Sequence, residues 1–116
     1  LPKTETERTE PRAVILVDGI LILHHQPIRA LLDLKIFVEC DAPTRLSRRL
    51  ERDVKERGRT AESVKAVFTD QVGPMHDKYV EPSRARADIV IDSQSSNHTF
   101  EHHFGIISDR ITSLCP

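Results

Sequence analysis

Leu34–Arg59, LKIFVECDAPTRLSRRLERDVKERGR, decides the fold because its hydrophobic period changes part-way along. Residues 34–39, LKIFVE, read as a short strand. Asp41 then offers a helix N-cap, Pro43 is tolerated in a first helical turn, and Gly58 supplies a stop. Between them, Arg45, Arg48, Arg49 and Arg52 share one face at 3.6-residue spacing. Leu46, Leu50 and Val54 form an apolar stripe turned away from that face. The segment is a strand followed by an amphipathic helix with an arginine face.

The charge of that helix is concentrated. Residues 45–59 hold six arginines and one lysine against Glu51, Asp53 and Glu56, a local balance of +4 in a 116-residue chain whose net charge is -1. The planar guanidinium fork stays charged and engages phosphate oxygens two at a time, so an anionic ligand is expected there. A solvated helix face with i,i+4 ion pairs such as Arg52 with Glu56 also fits the run taken alone.

Outward from this segment, strands alternate with helices. Ala13–Val17, AVILV, is a continuous apolar run that suits a buried parallel strand. Pro27 is expected to open a short helix running to about Leu32. Thr60 can cap a helix whose Val64, Val67, Phe68 and Val72 recur at helical spacing until Pro74 interrupts it. Met75–Val80 fits one further short helix, and Asp88–Ile91, in ADIVID, gives a third strand. Phe100, Phe104, Ile107, Ile111 and Leu114 then step down a terminal helix. This order implies an α/β fold with a parallel sheet flanked by helices. Three strands make a thin sheet, so the chain reads as part of a larger domain.

Asp18 is the second residue with chemistry, because a carboxylate just beyond an apolar strand lies where open α/β sheets bind ligands. Such a carboxylate can hold Mg²⁺ directly or through water. Asp18-Gly19 equally fits a hairpin turn. Composition excludes several classes. No apolar run approaches the roughly 20 residues of a membrane span, and LPKTETERTE lacks the apolar centre of a signal peptide. A cytoplasmic setting is expected. Cys40 and Cys115 lack disulfide-framework or zinc spacing and are expected to be free thiols. An even charge balance with 4% aromatics argues against nucleic acid. His98 and His102, at i,i+4, could offer two nitrogens to zinc, but they also fit exposed polar positions opposite the Phe100/Phe104 stripe. His24, His25 and His76 read as structural.

The stretches VILVDGILIL, then DLKIFVECDAPTRLSRRLERDVKERGR, then GPMHDKYVEPSRARADIVI closely resemble the carboxyl-terminal half of the uridine kinase (uridine-cytidine kinase) family, part of the phosphoribulokinase/uridine kinase group of P-loop kinases. The resemblance covers roughly residues 5–92. It implies phosphoryl transfer from ATP to the 5′-hydroxyl of uridine or cytidine, in a P-loop NTPase fold with a helical lid. Carried over by position, Asp18 stands where the family has a glutamate near Mg²⁺. Arg52 and Arg57 match lid arginines that approach the ATP phosphates, and Arg49 and Arg59 match positions facing the nucleoside and its reacting end. Arg45 and Arg48 are expected to stay solvated. The family tends towards homo-oligomers.

The same comparison divides the chain into an irregular lead-in (1–12), core strands (13–44), arginine-rich lid helices (45–74), and a return strand with the terminal helix (75–116). It also marks departures. No GxxxxGK[ST] occurs in these residues, so the amino-terminal phosphate-loop half is missing and the isolated chain is expected to be inactive. The chain starts at Leu1, as expected of a fragment or truncated gene model. Val67 replaces a base-contacting glutamine, and Asp92-Ser93-Gln94 replaces a Pro-Arg-Gly turn near the adenine. A degenerate module that pairs with or regulates a complete kinase is the alternative.

Overall fold

The computed structural model describes residues 7–8, 10, 12–94 and 96–115. Two strands, β1 (Ile36–Glu39) and β2 (Ile89–Asp92), pair in parallel with Ile36 opposite Ile89 and Glu39 opposite Asp92. Parallel neighbours require a long crossover, and everything between them supplies it. The short helix α1 (Gln26–Arg29) precedes β1.

Helix α2 (Ala42–Arg57) follows β1 with the expected cap, the Asp41 carboxylate accepting from the Thr44 N–H at 2.9 Å. It ends at Gly58, whose φ of 64° is a left-handed conformation that glycine adopts without a Cβ clash. The N–H groups of Gly58 and Arg59 both bond the Asp53 carbonyl, folding the chain back on the last turn of α2. Thr60 then caps α3 (Ala61–Val67) through the Ser63 N–H.

Pro74 does not stop this helix, contrary to the sequence reading. A π-helical turn (Phe68–Val72), one α-helical turn, α4 (Gly73–Met75), a second π-helical turn (His76–Val80) and a 3₁₀ segment (Glu81–Arg86) continue to the approach of β2. Proline lacks an N–H and crowds the carbonyl four residues back, so widening the ladder keeps the chain helical. The Gly73 N–H reaches back five residues to the Phe68 carbonyl. A Cβ at position 73 would lie 3.1 Å from that oxygen, which explains glycine here.

The described core is small: Leu23, Phe37, Val64, Phe68 and Ile91 are its buried apolar side chains. The Cα radius of gyration of the chain, 17.0 Å, exceeds the roughly 13 Å of a compact domain of this length. Ala13–Val17 is not a strand. It runs irregularly and exposed, with Leu16 89% accessible, because β1 and β2 are the only paired strands among the described residues. Of the expected core strands in 13–44, only Ile36–Glu39 forms. The lead-in 1–12 falls largely outside the described residues.

The terminal helix α5 (Asn97–Leu114) forms, with Phe100 and Phe104 stacked at 6.1 Å between ring centroids. Its apolar stripe is only partly covered: Phe104 is 58% exposed. No described helix is long and apolar enough to cross a membrane.

Substituting Gly58→Ala is expected to destabilise the chain by about 1 kcal/mol through the left-handed turn alone, since nothing crowds a Cβ there. Urea denaturation followed by circular dichroism should show a lower midpoint, and an unchanged midpoint would contradict the turn geometry.

Candidate active site

One cavity of about 890 Å³ lies between α2 and the helical stretch that follows it. Arg45, Arg48, Arg49 and Arg52 all line it, so the face expected from 3.6-residue spacing is the face that meets the cavity. Ile20, Leu21, His24 and Cys40 line it from the earlier part of the chain. Phe68, Gln71, Val72, Met75, His76, Tyr79 and Val80 line it from the later helices. A positively charged wall thus shares one space with apolar and aromatic side chains.

The arginines are held in two different ways. Arg45 is half-buried, donates through Nε to the Cys40 carbonyl at 3.1 Å and lies 5.7 Å from the Phe68 ring centroid. Arg48 donates to Ser93 Oγ at 3.3 Å and reaches Cys40 Sγ at 3.6 Å. The expectation that both stay solvated is therefore corrected for Arg45. Its guanidinium is drawn down by a carbonyl and an aromatic face. Arg48 stays exposed but anchors α2 to the carboxyl ends of both strands.

Arg52, Arg57 and Arg59 instead converge on Asp53. Arg52 Nε donates to Asp53 Oδ1 at 2.9 Å, Arg57 Nη1 lies 3.6 Å from the same oxygen, and Arg59 Nη1 lies 3.9 Å from Oδ2. Asp53 is only 2% exposed. The Arg52 hydrogen bond holds its carboxyl below the ordinary 3.8, against the opposing effect of burial and with help from the charges of Arg52, Arg57 and Arg49. Arg52 and Glu56 form no ion pair here; the i,i+4 pairs on this helix are Glu51 with Lys55 and Asp53 with Arg57.

Of the residues singled out from the sequence, Arg49 and Arg52 line the cavity, whereas Arg57 and Arg59 sit with Arg52 around Asp53. Asp18 is exposed in an irregular segment and does not follow a strand, which removes the sheet-end argument for it. It stands two residues before Ile20, which lines the cavity. Among the described residues, no three His, Cys, Asp or Glu side chains gather as a metal site. The sequence reading missed Gln71, His76 and Tyr79. Steps of three and four residues from Phe68 lead to all three, a signal applied in this stretch only to apolar positions. Burial, then the nearby Arg45 charge, lower the His76 pKa, so its ring is neutral at neutral pH.

The pattern of the family described as phosphoribulokinase / uridine kinase matches residues 1–100. The chain belongs to that family. It is 50% identical over 95 residues to a uridine kinase of Clostridium tetani, covering 82% of this chain and 46% of that protein. It is 47% identical over 94 residues to a uridine kinase of Anoxybacillus flavithermus, covering 81% and 44%. A uridine kinase of Listeria monocytogenes is 47% identical over 96 residues, covering 83% and 46%. The chain thus spans less than half the length of the curated relatives it matches. The matched residues contain the cavity and the whole arginine run, and most of α5 lies beyond them.

Because the Asp53 carboxyl is lowered on folding, its stabilising effect is complete above the ordinary carboxylate value and disappears as pH falls through the folded value. Melting temperatures followed from about pH 5 to about pH 2 should fall. The fall should be shallower in Asp53→Asn, and parallel curves would refute the lowered pKa.

Proposed function

We propose that this chain is the lid and carboxyl-terminal portion of an ATP-dependent uridine kinase, which phosphorylates uridine or cytidine at the 5′-hydroxyl within a P-loop NTPase fold. The observation that carries this reading is the cavity itself: the arginine face of α2 and the rings of Phe68 and Tyr79 line one space, in residues about half identical to curated uridine kinases. One part suits phosphates and the other a flat base.

In phosphoryl transfer, negative charge spreads over the equatorial oxygens of the moving group, and the protein contributes positioning and positive charge. Arg52 and Arg57 supply that charge in this reading. Arg49 and Arg59 face the nucleoside and its reacting end. Gln71 lines the cavity one helical turn beyond Val67 and offers an amide to a base edge, in place of the glutamine missing at 67. Mg²⁺ takes one or two carboxylates and keeps several waters, so a single exposed Asp18 is a chemically adequate protein ligand. When bound, the ion would offset charge on the ATP phosphates. The reading carries a cytoplasmic setting and a homo-oligomeric assembly with it.

A second reading, a non-catalytic module that pairs with a complete kinase, is favoured by one observation. Val14, Ile15, Leu16 and Ile20 are all more than half exposed, an apolar stretch suited to a protein contact.

The 116 residues alone should neither bind ATP tightly nor phosphorylate uridine, since they contain no GxxxxGK[ST] to cradle the phosphates. Turnover by the purified chain would defeat that expectation. Fused behind the amino-terminal half of the Clostridium tetani enzyme, the chain should support uridine phosphorylation, and an inactive but folded fusion would favour the non-catalytic module. In an active fusion, Arg52→Ala or Arg57→Ala should lower kcat at least about tenfold while changing the KM for uridine little, because transition-state charge is what these side chains meet.

A further inference from the structure

Asp53 is the least expected of the buried side chains. The others are five apolar residues and Ser83, and a carboxylate withdrawn from water needs compensation. Three arginines provide it. Each gives Asp53 only part of its guanidinium: Arg52 uses Nε, Arg57 one Nη and Arg59 one Nη. Among the described residues the Arg52 side chain makes no hydrogen bond besides that to Asp53, the Arg57 side chain is held by its ion pair alone, and the Arg59 side chain donates only to Ser63 Oγ at 3.1 Å. A guanidinium carries five N–H donors, so most donors of all three remain for a ligand. The three side chains are 44%, 60% and 38% exposed, each reaching water while its inner edge touches a buried acid.

The backbone of the same residue completes the arrangement. The Asp53 carbonyl accepts from both Gly58 and Arg59 N–H groups, so one residue ties down the end of α2 with its main chain and the arginines with its side chain. Without a carboxylate there, three like charges from one helix end would repel and spread into solvent.

We propose that Asp53 is the positioning residue of the arginine site, an internal counter-charge that gathers Arg52, Arg57 and Arg59 into one array that receives a phosphate or polyphosphate group. This rests on the reading that Arg52 and Arg57 meet phosphate, and it adds that Arg59, at the reacting end, is gathered with them and that the geometry of all three is imposed by a buried acid. Its consequence runs against simple electrostatics. Removing a negative charge beside an anion site should strengthen anion binding; removing this one weakens it, because the array disperses.

The test uses the full chain and inorganic pyrophosphate, followed by calorimetry at low salt. Asp53→Asn, close in shape but uncharged, is expected to bind about tenfold more weakly despite its more positive net charge. Asp53→Glu, which restores the charge, should recover part of the loss. Trypsin should cut faster after Arg57 and Arg59 in Asp53→Asn while helical circular dichroism stays intact. Equal or tighter pyrophosphate binding by a folded Asp53→Asn overturns the proposal. If wild type binds and Arg52→Ala abolishes that binding, the phosphate reading survives the failure; if wild type does not bind at all, this proposal falls, and the phosphate reading is decided by Arg52→Ala in the active fusion. Should Asp53→Asn fail to fold, carbon-13 NMR of the wild-type Asp53 carboxyl decides. Saturating sulfate, drawing on the same guanidiniums, must raise its titration midpoint, and an unmoved midpoint overturns the proposal.

Discussion

A carboxylate and three guanidiniums at the end of one helix organise the functional half of this molecule. Asp53 lies in the last turns of α2, where the helix dipole disfavours negative charge, and it is buried as well. Both costs are offset only because Arg52, Arg57 and Arg59 reach it, and Arg59 reaches it only because Gly58 turns left-handed. The reversal at Gly58 also delivers the chain to the Thr60 cap, so that α3 starts where Val64 and Phe68 can be buried. Loss of the turn would separate the arginine face from the aromatic wall that shares its cavity.

The second constraint is the thinness of the sheet. A parallel pair is stable when both of its faces and edges are covered, and β1 with β2 has little around it. The structure compensates by tying the strand ends into the site. Arg84 bonds Glu39 at 2.7 Å, Arg48 bonds Ser93, and Gln94 accepts from the Asp41 N–H. These contacts set the base of α2 against the carboxyl ends of both strands, which is where this class of fold places its ligands. Among the described residues the apolar run at 13–17 has no such tie beyond the Cys115 thiol 3.9 Å from the Ala13 carbonyl, and its composition alone does not make it a strand.

Much of the local structure was legible because it depends on neighbours in the chain. The Asp41 and Thr60 caps, the Gly58 stop and the terminal helix all rest on interactions within a few residues, and the runs near Ile36 and Ile89 show their strand character locally although they pair across the whole crossover. Pro74 was misread for a related reason: proline discourages an α-helical ladder, but the Gly73 bond to Phe68 shows a wider ladder that tolerates it. The site was legible on α2 alone. Its far wall was not, since Gln71, His76 and Tyr79 face a cavity only once two helices are brought together.

Sequence alone determined that α2 would be capped, amphipathic and positively charged on one face, and that the chain is α/β, because caps and periodicity act over one or two turns. Tertiary structure decided which of its charges serve what. Arg45 goes to a carbonyl and a ring, Arg48 to the strand ends, and Arg52, Arg57 and Arg59 to a buried acid. No periodicity distinguishes those fates, since the energy of a charge depends on what surrounds it in space.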